Sequence, residues 1–157
     1  MKKVILAISA LLFSGLLYAQ TNPNKRTVCF IYKGELISAE SEYNPSDLSY
    51  TVIIDNTKIK IDLTGEHAKG KSYAANHNWY LDNETIEINK VKYQKFGLPR
   101  VLSTEEIKKY DEYQGVGAYR ETPKTRKGAE SPKEETPFIL YIPVRPLCEF
   151  QPYVRSN

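Results

Sequence analysis

The chain has 157 residues with 22 Lys+Arg against 19 Asp+Glu, a formal net charge of +3, 41% hydrophobic residues, two cysteines and twelve tyrosines. Its cations are scattered rather than gathered on one stretch, which argues against nucleic acid as a partner. The length suits one domain with its own core.

The first residues, Met1-Lys2-Lys3, lead into an apolar run from Val4 to Leu17, with a small residue at Ala19. These are the three parts of a secretory signal peptide. The run is shorter than the roughly 18 residues a spanning helix needs. Residues 1–19 are therefore expected to be removed, leaving 20–157 as one β-rich domain in the periplasm or outside the cell. Contact with the membrane is expected only through the leader during export. Without Lys2 and Lys3 the balance is 20 basic to 19 acidic residues, a net of +1. Two cysteines in an exported chain favour a disulfide, here Cys29 to Cys148. It would close a loop of roughly 120 residues, valued at about 4–5 kcal/mol by chain entropy.

Gln20 to Arg26 is polar and reads as a flexible lead. Val28–Tyr32 and Glu35–Ala39 flank Lys33-Gly34, a hairpin signal. Glu40 to Ser49 contains the turn cluster Asn44-Pro45-Ser46-Asp47. Tyr50–Ile54 and Lys58–Leu63 form a second hairpin. In its second arm Ile59, Ile61 and Leu63 alternate with Lys58, Lys60 and Asp62, the pattern of a half-buried strand. Thr64 to Asn78 is a polar loop, and Trp79–Leu81 is expected to begin a strand. Thr85–Ile88 and Val91–Phe96 make a third hairpin across Asn89-Lys90.

The period then changes. Ser103-Thr104-Glu105-Glu106 has the form of a capping box, Leu102 and Ile107 occupy staple positions, and Gly115 is a natural stop. One short helix is expected over 104–113. Val116–Glu121 reads as a further strand weakened by Gly117. Residues 122–136 are charged, rich in proline and nearly without apolar side chains, so a flexible loop is expected. Phe138–Val144 and Glu149–Val154 close the chain as strands. Pro143, Pro146 and Pro152 lack a ladder donor, which points to an edge or to bulges.

Gly65-Glu66-His67-Ala68-Lys69-Gly70-Lys71-Ser72 matches the phosphate-binding loop pattern. That motif needs a helix running on from Ser72, and Tyr73 to Asn78 is poor helix material. Nucleotide is therefore not expected as a ligand, and Lys71 is expected in solvent. His67 and His77 with Glu66 and Asp82 fit no metal-ligand spacing, so neither a metal nor another cofactor is expected. No serine lies in a nucleophile elbow. A carboxylate pair distant in sequence stays open. The tyrosine content suits either strand faces or contact surfaces. Trp79 and Tyr80, beside the loop carrying His67 and His77, are the candidate binding surface.

Taken together, these features predict a mainly β, antiparallel sandwich or small barrel built from hairpins, with one short helix near 104–113. The expected function is that of an exported binding or interaction module, non-catalytic, whose partner is a protein or an envelope glycan. A small secreted or periplasmic hydrolase of envelope polymers is the alternative. An inhibitor of a secreted enzyme is a third reading that the residues do not separate from the first.

Overall fold

The computed structural model describes residues 24–63, 71–123 and 136–156. The leader, His67 with the rest of 64–70, and most of the expected 122–136 loop lie outside the described residues. Among the described residues, eleven strands fall into two antiparallel sheets.

The first sheet takes β1 (Lys25–Tyr32), β2 (Glu35–Asn44), β3 (Ser49–Ile54) and β4 (Thr57–Asp62) in chain order. β1 begins inside the expected lead, pairing Lys25 with Glu42 and Arg26 with Ser41. Two-residue turns join β1 to β2 and β3 to β4. Lys33 and Gly34 have φ of 51° and 83°, and Asp55 and Asn56 have 48° and 60°. Positive φ at both central residues gives a turn whose twist matches that of the strands it joins. Cross-strand pairs Phe30–Ile37, Tyr43–Tyr50 and Tyr50–Ile61 put one apolar face on the sheet. Val28, Phe30, Tyr50, Val52 and Ile61 are buried there, with Leu147 packed against them.

The second sheet holds β5 (Ile86–Ile88), β6 (Val91–Lys95), β7 (Arg100–Val101), β8 (Ile107–Tyr113), β9 (Val116–Glu121), β10 (Ile139–Arg145) and β11 (Glu149–Arg155). Its order is β5-β6-β11-β10-β9-β8, and β7 pairs with β11 beyond the end of β6. Asn89-Lys90 and Gln114-Gly115 form the same kind of turn, again with positive φ at both residues.

The short helix is not at 104–113. Ile107–Tyr113 is strand β8, and Gly115 sits in a hairpin turn rather than ending a helix. Half of the capping box forms, since the Ser103 N–H donates to the Glu106 carboxylate at 2.8 Å. It closes a turn that feeds a strand. A register shift between Lys109 and Asp111 leaves Tyr110 as the extra residue. That bulge lets Tyr110 and Tyr113 pack on the same cluster although they are three apart, so a strand reproduces the spacing of a helix.

The expected strand at Trp79–Leu81 is instead the helix, α1 (Asn78–Leu81), preceded by a 3-10 turn at Ala74–Asn76. Trp79 and Tyr80 are consecutive and both buried in one cluster. A strand would send them to opposite faces, whereas a helical turn lays both against the sheet.

The two proline-bearing strands are central, not at an edge. β10 does carry a register shift, between Pro143 and Arg145. Pro152 lies where β11 changes neighbour, between its pairs with β7 at Glu149–Phe150 and with β6 at Tyr153–Arg155. The buried Gln151 side chain fills that gap. Its Nε2 donates to the carbonyls of Phe96 at 2.8 Å and Gly97 at 3.1 Å.

One face of the second sheet buries Tyr93, Leu140, Ile142 and Tyr153 under Trp79, Tyr80 and Ala74. The other face meets the first sheet through Cys29, Leu36, Tyr119, Tyr141 and Phe150. Fully burying a side chain such as Phe150 contributes about 1.5–3 kcal/mol. Cys29 and Cys148 are bonded across this junction, with Cα atoms 4.6 Å apart. Two hydrogen bonds flank the disulfide, from the Leu147 N–H to the Cys29 carbonyl at 2.8 Å and from the Ile31 N–H to the Tyr73 hydroxyl at 2.8 Å.

Candidate functional site

The expected aromatic surface is a core feature. Trp79 is 3% exposed and Tyr80 is 9% exposed. The indole meets Tyr113 and Tyr153 edge to face, with ring centroids 5.2 and 6.3 Å apart. Tyr80 carries the Lys95 ammonium 3.7 Å over its ring, and the same ammonium donates to the Tyr80 carbonyl at 3.1 Å. Both rings are buried, although Trp79 and His77 line one open pocket with Glu84 and Gln114, and the exposed aromatic surface expected for this pair is corrected accordingly. The cause is the helical turn that sets both rings against the sheet.

His77 is half-buried and has a structural task. Its Nε2–H donates to the Lys71 carbonyl at 2.8 Å, while its ring sits 5.5 Å from that of Trp79. Lys71 is exposed. After Ser72 the chain does not enter the helix that a phosphate loop requires. Tyr73 is extended, with φ −120° and ψ 133°, and a three-residue 3-10 turn follows. His67 lies outside the described residues. Among the described residues no group of three or more His, Cys, Asp or Glu side chains is placed to hold a metal.

An open groove of about 810 Å³ runs past Arg120, Glu121, Pro137, Phe138 and Arg155. The Arg155 guanidinium lies 5.7 Å from the centre of the Phe138 ring. Glu121 accepts a 2.7 Å hydrogen bond from the Tyr141 hydroxyl. Burial, and then this carboxylate, push the Tyr141 phenol up to about 12. Glu121 is the one carboxylate among these lining residues. A pair of carboxylates for glycoside hydrolysis is not assembled here.

Exposed large apolar side chains lie at several places among the described residues, Ile53 on β3 and Phe138 in this groove among them, but one stretch holds three. Phe96 is 63%, Leu98 83% and Val101 75% exposed, within the six residues that run from the end of β6 through β7. The backbone beneath these side chains is held firmly. The Phe96 N–H donates to the Pro152 carbonyl at 3.0 Å, and the Leu102 N–H donates to the Cys148 carbonyl at 3.0 Å. Gln151 binds the Phe96 and Gly97 carbonyls between those points. Arg100 and Val101 pair with Phe150 and Glu149. Gly97, at φ 62°, turns the chain so that Phe96 and Leu98 both stand clear of the sheet.

Sequence reasoning passed over this segment because Phe96 reads as the last residue of a strand and Leu98 as an isolated apolar residue. The available signal was turn chemistry, Gly97 and Pro99, interleaved with large apolar residues that no alternation assigns to a core. No family model, curated protein or solved structure matches the chain.

Proposed function

We propose that this chain is an exported, non-catalytic interaction module and that its contact surface is the 96–101 segment. The observation that supports the reading is the combination at that segment of outward apolar side chains and pinned backbone. Large apolar groups left in water on a surface mark contact sites. Holding them on hydrogen-bonded backbone lowers the ordering cost of association. Export is supported by the Cys29–Cys148 bond, which belongs to an oxidising compartment, and by the signal-peptide form of residues 1–19.

One experiment addresses both parts. The chain is expressed with its leader and the intact mass of the exported product is measured; loss of residues 1–19 is expected. A photoreactive residue is placed at Leu98, and in a second sample at Lys58, which is exposed on β4. A defined adduct is expected from position 98 and none from position 58. Equal labelling at both, or none at 98, contradicts the contact surface. Retention of Met1 in the exported product contradicts cleavage.

A further inference from the structure

We infer that the disulfide holds the 96–101 segment in place through the turn that carries Cys148, so that only the oxidised chain presents the contact surface; the inference rests on the reading of this segment as that surface. The turn between β10 and β11 is Pro146-Leu147-Cys148. Leu147 and Cys148 both have positive φ, 85° and 63°. The other neighbouring pairs with positive φ among the described residues are Lys33-Gly34, Asp55-Asn56, Asn89-Lys90 and Gln114-Gly115, and each holds a glycine or an asparagine. Glycine and asparagine suit the left-handed region, whereas the β-carbons of leucine and cysteine crowd the backbone there. Leu147 and Cys148 therefore keep this conformation only while other contacts impose it.

Three such contacts lead to β1 and its sheet. Cys148 is bonded to Cys29, the Leu147 N–H donates to the Cys29 carbonyl at 2.8 Å, and the Leu147 side chain packs on the first sheet's cluster. In that conformation the Cys148 carbonyl accepts the Leu102 N–H at 3.0 Å, and the next two residues, Glu149 and Phe150, pair with Val101 and Arg100. The Leu102 side chain packs in the same cluster as the two cysteines. The turn thus links the disulfide to the end of the contact segment. The bond forms by exchange: an oxidising disulfide takes up two electrons and two protons from the Cys29 and Cys148 thiols and leaves as two thiols. Before that step the turn is free to leave the left-handed region, which withdraws the Cys148 carbonyl from Leu102 and loosens β7. The apolar side chains of the segment are then held ready for a partner only after the chain reaches an oxidising compartment.

The test compares three chains: the oxidised protein, Cys29→Ala with Cys148→Ala, and Cys29→Ala with Cys148→Gly. Amide hydrogen exchange is measured in each, and adduct formation is measured in samples carrying the photoreactive residue at Leu98. Glycine has no β-carbon to crowd the backbone at φ 63°, so it keeps the turn without the bond. Exchange at Arg100–Leu102 is expected to rise by about ten-fold or more in the alanine pair, and the adduct at 98 to fall. Both are expected to return most of the way in the glycine pair. Unchanged exchange in the alanine pair overturns the inference, because the segment is then held without the bond. An equal rise in both pairs also overturns it, because the turn's conformation is then not the link. Loss of protection throughout β10 and β11 in the alanine pair overturns it as well, since the bond then serves the whole sheet rather than this segment. The expected exchange pattern with no adduct at 98 in the oxidised chain leaves the turn's hold on the segment standing and removes the contact surface.

Discussion

The tyrosines show what a side chain's setting does to its chemistry. Burial pushes the Tyr73 and Tyr119 phenols from 10.0 up to about 12, and burial with the Glu121 carboxylate does the same to Tyr141. In the unfolded chain these groups release their protons near their ordinary value. Between about pH 10 and 12 the unfolded state therefore binds fewer protons than the folded state, and stability falls as pH rises. Their contribution is whole below about pH 10 and lost through the folded values. Urea midpoints are expected to hold steady up to about pH 10 and then drop, with phenolate absorbance from these residues appearing together with unfolding. Complete phenolate formation at pH 10 in a folded chain would refute their burial. The abundance of tyrosine was plain in the sequence; its placement was not. Tyr73 follows a polar loop, yet its hydroxyl accepts the Ile31 N–H 42 residues away. Trp79 and Tyr80 look like surface aromatics beside that loop because nothing local reveals the sheet that covers them.

Strands and turns divide by how local their determinants are. The hairpins at Lys33-Gly34 and Asn89-Lys90 were legible, since alternation and turn residues sit within a few positions of each other. β8 was not, because its bulge sets Tyr110 and Tyr113, three residues apart, on one cluster while Ile107 packs on the other. The central place of β10 and β11 was also hidden. Prolines usually belong at edges, and only the tertiary fold shows Gln151 serving the carbonyls beside Pro152. Gln151→Ala removes that support from the Phe96 and Gly97 carbonyls. A loss of about 1–3 kcal/mol is expected from the groups left unpaired. Hydrogen exchange should rise over 94–101 with little change in the first sheet. Unchanged exchange in that segment would show that the β7 pairing alone holds it.

At the level of the molecule, the disulfide was the most legible feature, because two cysteines leave one pairing and the spacing is long. It joins residues 119 apart and bridges the two sheets. Replacing both cysteines by serine is expected to lower unfolding stability by about 4–5 kcal/mol in the chain-entropy account. A change under 1 kcal/mol in denaturant melts would show that the Tyr119, Tyr141 and Phe150 contacts hold the sheets unaided. What the sequence concealed was the contact segment, because exposure is a property of the assembled fold. The bonds flanking the disulfide have one more consequence. β1 is a terminal strand of its sheet, and its outward Cys29 carbonyl and Ile31 N–H are occupied by Leu147 and Tyr73. On the far strand β4, Lys58 is exposed and Lys60 pairs with Asp47, charged side chains of the kind that blunt a sheet edge. Loosening the junction would unmask Val28–Tyr32, a short apolar β-forming run without charge, as a template for self-association. The bond between the sheets thus guards the protein against amyloid-like stacking as well as against unfolding.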